Sequence, residues 1–349
     1  MNKEFWKDKN IFITGHTGFK GSWLSVWLNE LGANVTGYSL PKLTDPSMFE
    51  SLSLEKKVNT VFGDVRDYEK LKNQIILAKP EIVIHMAAQA LVLESYENPV
   101  ETYQTNLMGT VNILNAIKDS SSVKVFINVT SDKCYENKGN PRAFKEDDAM
   151  GGIDPYSTSK ACSELITSSY RSFNSNVAIA TARAGNVIGG GDWACNRIIP
   201  DFIKKINQKQ KLSIRNPTAI RPWQFVLEPL SGYLVLAERL FLKGTDFAEA
   251  WNFGPDSQDD KSVEWLISEF DNEYAGGNNF QIELNNDLPY EANYLKLDCS
   301  KSKKRLGWTP KLELKNSISM TSAWYKNFYK GNQDMYSFTV EQIKQFESI

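Results

Sequence analysis

A tyrosine and a lysine that could together transfer protons stand four residues apart in the stretch YSTSK, from Tyr156 to Lys160. On a helix, residues i and i+4 share one face, so the phenol and the amine would lie side by side. A cation beside a phenol lowers the pKa of the phenol, which a general base near neutral pH requires. The spacing therefore predicts a tyrosine base assisted by a lysine, although surface residues of a helix also show this spacing by chance.

Three residues with different chemistries, Ser131, Asp132 and Lys133, follow an apolar segment that ends at Val129. That segment is predicted to be a buried strand, and ligands of open α/β sheets bind beyond the carboxyl ends of strands. A hydroxyl, a carboxyl group and an amine would thus reach the place where chemistry is expected. A polar turn is the alternative, and the expected proximity of Tyr156 favours the catalytic interpretation.

Three glycines, Gly15, Gly18 and Gly21, lie between the first predicted strand and a segment whose apolar residues recur at helical spacing. Glycines let the backbone turn sharply and approach a pyrophosphate closely. The first amides of the helix would add unpaired N–H groups and the positive end of its dipole. The GxxGxxG spacing in this context predicts a dinucleotide-binding loop.

The adenosine end of this expected site leaves the choice between NAD and NADP open. The second strand of such folds usually ends in an acid that binds the ribose, but the residues from Tyr38 to Lys42 include none. Asp64, after the third predicted strand, could accept a hydrogen bond from the adenine amine. A simple turn is the alternative at Asp64.

The elements that must position these residues are short apolar strands alternating with amphipathic segments. We predict strands at residues 10–14, 34–38, 58–62, 81–85, 123–129 and 177–182. Such alternation predicts a parallel sheet with helices on both faces. The expected fold class is therefore α/β, with a Rossmann-type doubly wound parallel sheet.

The regular pattern ends after about residue 188. We predict a dinucleotide-binding domain over residues 1–188, with a return segment near residues 225–257. A smaller, discontinuous C-terminal domain over residues 189–349 would bind mainly substrate. Residues 272–279 are predicted to form a loop, and the tail from about Tyr329 shows no interpretable pattern.

Composition excludes several classes of protein. The chain has 349 residues, of which 41% are hydrophobic and 23% charged, with a formal net charge of −2. No global positive field exists to hold nucleic acid. The chain has no apolar run of about 18 residues and no signal-like start, so neither a membrane span nor export is expected. Two histidines and four cysteines without a CxxC pair predict no metal site.

These segments together resemble the extended short-chain dehydrogenase/reductases, particularly the nucleotide-sugar 4,6-dehydratases and, among these, the subgroup that acts on CDP-glucose. The resemblance spans roughly residues 8–310. The pair Asp132-Lys133 is typical of the subgroup, whereas dTDP-glucose dehydratases would have Asp-Glu. Ile153 stands where the subgroup commonly has histidine, and Leu93-Glu94 where it commonly has a basic residue. The supporting segments are TGHTGFKGSWL (14–24), TSDKCYEN (130–137), DPYSTSKACSE (154–164), RAGNVIGGGDWA (183–194) and RPWQFVLEPL (221–230).

The resemblance implies an NAD-dependent lyase that converts CDP-glucose to CDP-4-keto-6-deoxyglucose and water. Tyr156 would take the proton of the sugar 4-hydroxyl as its hydride passes to NAD. Lys160 would hold the nicotinamide ribose, and Ser131 would hydrogen-bond the 4-oxygen. Lys133 would remove the C5 proton and Asp132 would protonate the departing 6-hydroxyl, before hydride returns to C6.

The resemblance also implies binding residues, a homodimer paired through helices of the nucleotide domain, and a cytoplasmic location. Guanidinium groups suit the substrate diphosphate. Substrate is expected at Asn106, Asn186, Arg197 and Arg221. NAD is expected at Gly15, Thr17, Gly18, Phe19, Lys20, Gly21, Asp64, Val65, Ala87, Ala88, Tyr156 and Lys160.

Two other functions fit part of this pattern. A nucleotide-sugar 4-epimerase would need Ser131, Tyr156 and Lys160 but no acid–base pair for elimination, so Asp132 and Lys133 argue against it. A non-catalytic NAD-binding sensor would be expected to lose Tyr156 or Lys160, and both are present.

Overall fold

A computed structural model of the chain describes residues 2–42, 44–139, 142–173, 176–283, 294–331 and 334–349. In chain order, strands β1 to β13 span Asn10–Thr14, Asn34–Ser39, Asn59–Phe62, Ile82–His85, Val125–Val129, Ala178–Ala184, Val187–Ile188, Leu212–Ile214, Ile220–Pro222, Gln224–Phe225, Ala250–Phe253, Asp260–Ser262 and Phe280–Ile282. Helices α1 to α13 span Lys3–Trp6, Phe19–Glu30, Met48–Ser51, Tyr68–Ala78, Val92–Glu97, Pro99–Tyr103, Gly109–Lys118, Pro155–Phe173, Ile198–Asn207, Leu227–Lys243, Val263–Ala275, Leu314–Lys330 and Met335–Ser348.

Seven of these strands form one parallel sheet in the order β11-β6-β5-β4-β1-β2-β3. The chain runs outward from β1 through β2 to β3 and then returns to the other side of β1 with β4, which pairs Ile11 with Ile82 and Thr14 with His85. The strand order reverses at this point, and the carboxyl ends of β1 and β4 flank a crevice where ligands of such sheets bind. The prediction of a Rossmann-type doubly wound sheet is confirmed.

Alternating side chains of the strands pack into two cores on opposite faces of the sheet, because successive residues of a strand point to opposite sides. One core joins the strands to α4 and α7, and the other joins them to α2 and α10. The first contains Phe12, Val83, Phe126, Leu71 and Ile113. The second contains Ile13, Ile84, Ile127, Trp27 and Leu234.

The six predicted strands occur within two residues of their expected bounds, and a seventh, β11, was not predicted as a strand. It pairs in parallel with β6, Ala250 opposite Thr181 and Phe253 opposite Ala184, and so forms the edge of the sheet. The segment that includes β11 and α10 lies in the predicted return segment. The domain boundaries themselves stay a prediction.

The second half of the chain adds helices and three two-stranded sheets: β7 with β10, β9 with β12, and β8 with β13. The predicted loop at residues 272–279 is partly wrong, because α11 continues to Ala275 and ends at Gly276, where φ is +83°. The uninterpreted tail forms α13, whose Phe346 ring lies 5.8 Å from the ring of Trp27 in α2. The C-terminal helix therefore packs on the dinucleotide-binding half of the chain.

Candidate active site

The glycine loop between β1 and α2 is too tight for side chains at two of its glycines. Gly15 has φ of +78°, a region that favours glycine. A Cβ at Gly21 would lie 2.1 Å from the carbonyl oxygen of Gly15. Gly18 begins α2 without a side-chain cap, so the first amides of the helix have no acceptor within it. The geometry of this cradle fits a pyrophosphate group, and the role of these glycines in binding the cofactor stays a prediction.

The loop after β4 lies directly against the glycine loop. The backbone N–H of Ala87 donates to Oγ1 of Thr14 at 3.2 Å. A Cβ at Gly15 would lie 2.8 Å from the nitrogen of Ala87. Ala87 and its neighbour Ala88, both predicted to contact the cofactor, thus lie at the point where the strand order reverses.

The residues predicted at the adenosine end are held by local hydrogen bonds. Thr17 Oγ1 lies 2.8 Å from Oγ of Ser39, at the end of β2. The Asp64 carboxylate accepts from Arg66 at 2.6 and 2.8 Å. Burial alone would raise the pKa of Asp64, but these hydrogen bonds bring it below its ordinary value. Asp64 is therefore an anion paired with Arg66, and Val65 beside it is buried.

Helix α8 presents Tyr156 and Lys160 to the carboxyl ends of the strands. Asp154 caps the helix by accepting from the amide of Ser157 at 2.8 Å. The amide of Tyr156 donates to Oγ of Ser95 in α5, at 3.1 Å. Lys160 Nζ donates to the carbonyl oxygen of Val129, the last residue of β5, at 3.2 Å. The predicted pair is therefore brought to the end of the strand that leads to Ser131.

Burial controls the titration of this pair. It raises the pKa of Tyr156 to about 12, opposed by a hydrogen bond with Ser131 and the charge of Arg197. It lowers the pKa of Lys160 to about 8, opposed by the charge of Glu164. The pKa of the phenol thus lies above its ordinary value, opposite to the expected direction, because desolvation of the anion outweighs nearby positive charge.

The Ser131–Lys133 turn lies next to Tyr156. The amide of Lys133 donates to Ser131 Oγ at 3.2 Å, and Ser131 Oγ donates to Asp132 Oδ1 at 3.1 Å. Asp132 is 3% exposed, and its Oδ2 has no hydrogen-bond partner among the described residues. Burial raises the pKa of Asp132, despite the opposing charges of Lys133 and Arg221. Asp132 is therefore suited to hold a proton and to donate it.

Lys20, predicted to contact the cofactor, directs its amine toward the catalytic residues. Nζ donates to the hydroxyl of Tyr233 in α10 at 2.9 Å. Burial, together with the charges of Lys160 and Arg197, lowers the pKa of Lys20 to about 7. The site therefore concentrates positive charge around the buried Asp132, which suits an anionic ligand.

The predicted substrate-binding residues fall into two groups. Arg197 and Arg221 are close enough to the catalytic residues to shift the pKa of Tyr156 and Asp132 respectively. Arg197 Nη1 donates to Asp192 at 2.8 Å, and its side chain is 35% exposed. Arg221 is 2% exposed and donates to the carbonyl oxygen of Ile220.

The two predicted asparagines, Asn106 and Asn186, make hydrogen bonds to other residues of the chain. The side chain of Asn106 is buried and holds the backbone of Gln89, accepting at 2.8 Å and donating at 2.9 Å, and it also donates to Ser159 at 2.8 Å. The carbonyl oxygen of Asn186 accepts from the amide of Gln224 at 3.0 Å. The amide group of Asn106 thus supports the loop after β4, so a direct substrate contact would require it to leave these partners.

Ser95 and Tyr233, which contact the predicted site residues Tyr156 and Lys20, were not predicted from the sequence, because each comes from a distant part of the chain and shares no motif with its partner. Asp192, the partner of Arg197, lies in the segment 183–194 that supports the family resemblance, but no role was predicted for it. Of the two positions that depart from the subgroup pattern, Ile153 is exposed, and Glu94 in α5 accepts from Asn98, the residue that follows this helix.

Two kinds of feature are absent from the described residues. No cluster of histidine, cysteine, aspartate and glutamate in these ranges is arranged to hold a metal ion. No helix in the same ranges combines the length and apolar character needed to cross a membrane.

Comparisons with known proteins agree with this architecture. CDP-glucose 4,6-dehydratase of Salmonella typhimurium is 48% identical over 356 aligned residues, which cover 100% of this chain and 99% of that protein. Two solved structures share the fold: UDP-glucose 4-epimerase of Thermotoga maritima with UDP-glucose, and dTDP-glucose 4,6-dehydratase of Bacillus anthracis in complex with NAD. The first has a TM-score of 0.79 at 21% identity and covers 92% of this chain and 99% of its own. The second has a TM-score of 0.77 at 20% identity, and the match covers 95% of this chain and 99% of its own.

The model of one protein family, described as GDP-mannose 4,6 dehydratase, matches residues 12–321. This range includes the glycine loop, the Ser131–Lys133 turn, Tyr156 and Lys160, and it covers most of the chain. The chain belongs to the GDP-mannose 4,6 dehydratase family.

Proposed function

We propose that this chain is an NAD-dependent 4,6-dehydratase that converts CDP-glucose to CDP-4-keto-6-deoxyglucose and water. The observation that carries the proposal is the buried carboxyl group of Asp132, which lies beside Lys133 and next to Ser131 and Tyr156. A 4-epimerase needs a base and a hydride acceptor, but it has no step that uses a second proton donor. The 48% identity to the Salmonella enzyme over the whole chain supports CDP-glucose as the substrate.

The oxidation at C4 would use Tyr156 and Ser131. Tyr156 would accept the proton of the 4-hydroxyl, and Ser131, which is close enough to lower the pKa of the phenol, would hold the 4-oxygen. Bound NAD would supply the acceptor for the C4 hydride and later return that hydride to C6. Lys160, charged at neutral pH, would stabilise the tyrosinate and hold the nicotinamide ribose.

The elimination would use Asp132 and Lys133. A ketone at C4 acidifies the C5 proton, and Lys133 would remove it. Asp132 would give its proton to the 6-hydroxyl as water departs. The raised pKa of Asp132 suits this role, since a carboxyl group must be protonated to donate.

The cofactor and the substrate would bind to different elements of the basic crevice. The glycine loop, Thr17, Phe19 and the loop at Ala87-Ala88 would hold the dinucleotide. Arg197 and Arg221, together with Asn186, which follows the carboxyl end of β6, would hold the diphosphate of the sugar nucleotide. The proposed division of labour is a domain of residues 1–188 for NAD and one of mainly residues 189–349 for substrate.

A panel of nucleotide sugars tests the function. We expect kcat/KM for CDP-glucose to exceed the values for dTDP-, UDP- and GDP-glucose by at least about tenfold, equal to about 1.4 kcal/mol of transition-state discrimination. Mass spectrometry would measure the loss of water from the sugar. A tenfold preference for another nucleotide would overturn the substrate assignment, and interconversion of C4 epimers without water loss would overturn the dehydratase.

The proposal also includes a cytoplasmic homodimer. Apolar side chains remain exposed on α6, just before α7, and on α8, among them Val100, Met108, Leu165 and Phe173. Exposed apolar groups on neighbouring helices suit pairing with a second copy. Light scattering should give about twice the chain mass of 39.6 kDa, and Val100→Glu with Met108→Glu should shift the protein toward the monomer. A monomeric wild type at micromolar concentration would contradict the dimer.

A further inference from the structure

A buried ion pair joins Glu164 of α8 to Arg183 of β6. Nε and Nη2 of Arg183 lie 2.9 Å from the two oxygens of the Glu164 carboxylate, and both side chains are at most 4% exposed. Thr130 Oγ1 donates to one of these oxygens at 2.5 Å, and Thr181 Oγ1 donates to the other at 2.7 Å. Each carboxylate oxygen therefore accepts one hydrogen bond from the guanidinium group and one from a threonine.

The same ion pair contacts the chain on both sides of the Ser131–Lys133 turn. Thr130 directly precedes the turn. Tyr135 follows it by two residues, and its hydroxyl accepts from Nη1 of Arg183 at 2.7 Å and donates to Asn252 at 2.6 Å. The guanidinium group also lies 4.9 Å from the centre of the Tyr135 ring. Both ends of the turn are thus held by one pair of side chains.

Glu164 also belongs to the helix that carries the proposed base. It lies one helical turn after Lys160 on the same face of α8. Its negative charge opposes the fall in the pKa of Lys160 that burial causes. The ion pair therefore contacts both parts of the proposed catalytic set, namely the helix with Tyr156 and the turn with Asp132.

We propose that Glu164 and Arg183 are positioning residues, which fix the Ser131–Lys133 turn relative to α8 so that oxidation and elimination act on one bound sugar. The inference rests on the proposed dehydratase function. Neither residue would touch the reacting atoms. Both act through Thr130, Tyr135 and Lys160.

A role in orienting neighbouring groups explains this buried ion pair better than a contribution to folding stability does. The cost of desolvating two charges often cancels their attraction, and apolar groups of similar volume frequently replace a buried pair without loss. A bidentate pair does, however, impose a defined geometry on the groups around it. Geometry matters most beside reacting groups, since a misplacement of about 1 Å can cost about 10²-fold in rate.

Two matched substitutions separate orientation from stability. Thr130→Val and Thr181→Val each remove one hydroxyl that donates to Glu164, from buried positions of the same residue type, but only Thr130 adjoins the turn. We expect Thr130→Val to lower kcat for CDP-glucose by about 10- to 100-fold with KM within about twofold. Thr181→Val should keep kcat within about threefold of wild type. Its change in Tm should be similar to that of Thr130→Val. Tyr135→Phe, on the other side of the turn, should lower kcat in the same way as Thr130→Val.

Crystal structures of the two threonine variants give a readout that needs no substrate. The Ser131–Lys133 turn should move relative to α8 in Thr130→Val and keep its position in Thr181→Val. An unmoved turn in Thr130→Val, or equal losses of kcat in both variants, would overturn the positioning role. A wild type that dehydrates no nucleotide sugar would instead refute the proposed function, and the structural comparison would then decide the positioning role alone.

Discussion

Replacing Tyr156 by phenylalanine is expected to lower kcat for CDP-glucose by about 10²–10⁴-fold, the usual contribution of a general base. The phenol is the group that would accept the 4-hydroxyl proton, and phenylalanine keeps the ring while removing the hydroxyl. Ser95 accepts from the backbone amide of Tyr156, and Asp154 accepts from the backbone amide of Ser157, so the substitution leaves both caps of α8 in place. The loss should therefore appear in the first oxidation rather than in folding.

Single-turnover absorbance of the reduced nicotinamide measures that first step directly. With Tyr156→Phe, mixing enzyme, NAD and CDP-glucose should produce reduced cofactor about 10²–10⁴ times more slowly than with wild type. Tyr170→Phe is the matched control, since Tyr170 lies on the same helix and packs in the core beside α7. Its rate should stay near that of wild type. Rapid formation of reduced cofactor by Tyr156→Phe would exclude Tyr156 as the base.

The parts of the fold that sequence could predict are those with a local pattern. Strands β1, β4 and β5 are apolar runs with polar or glycine-rich residues at their carboxyl ends, so both their position and the edge where chemistry occurs follow from the chain alone. The glycine loop could be predicted for the same reason. Its tight approach at Gly21 is a property of neighbouring residues in the sequence.

Other parts depend on contacts between distant segments. Strand β11 lies in the second half of the chain, after the regular alternation of apolar strands and amphipathic segments has ended, and it is a strand because it pairs with β6. Helix α13 has a weak apolar pattern, and it is ordered against Trp27 of α2. The hydrogen bond from the amide of Tyr156 to Ser95 links residues 61 positions apart, so no motif could indicate it.

The electrostatics of the site could not be predicted from residue types. A lysine four residues after a tyrosine suggests a lowered phenol pKa, yet burial raises the pKa of Tyr156 to about 12. Lys160 gives its hydrogen bond to Val129. Burial is a property of the whole fold, and its effect on the tyrosinate exceeds that of the nearby cations. Ionisation of Tyr156 near neutral pH thus calls for further positive charge in the loaded site, as an oxidised nicotinamide would provide.

Separate substitutions of Lys133 and Asp132 are expected to stop the reaction at different points after this oxidation. The C5 proton becomes removable only when C4 is a ketone, so both variants should still transfer hydride to NAD. Lys133→Met should lose the exchange of the C5 proton with deuterium from heavy water. Asp132→Asn should keep that exchange but accumulate reduced cofactor, because the amide cannot protonate the departing 6-hydroxyl. Each variant should lose about 10²–10⁴ in overall rate.

The structure gives a physical reason for this division of labour between the two residues. Asp132 is buried, has a raised pKa and leaves one oxygen without a partner among the described residues, so it can hold a proton close to the departing group. Asparagine has the same shape, which keeps the acceptor for Ser131 Oγ. Lys138→Met, an exposed lysine five residues beyond Lys133, is the matched control for loss of a nearby positive charge. It should turn over and exchange like wild type.

CDP-glucose with deuterium at C4 of its glucose completes the experiment, because the proposed cycle moves the hydride from C4 to C6 within one active site. In wild type the label should appear on C6 of the product. When labelled and unlabelled substrates are mixed, the fraction of unlabelled product should not exceed the fraction of unlabelled substrate. If Lys133→Met exchanges C5 and turns over at nearly the wild-type rate, Lys133 is not the base. If Asp132→Asn loses C5 exchange as well, the carboxyl group acts before elimination rather than as its acid. A label that stays on C4 would refute the dehydratase cycle itself, since hydride return to C6 is the step that regenerates NAD.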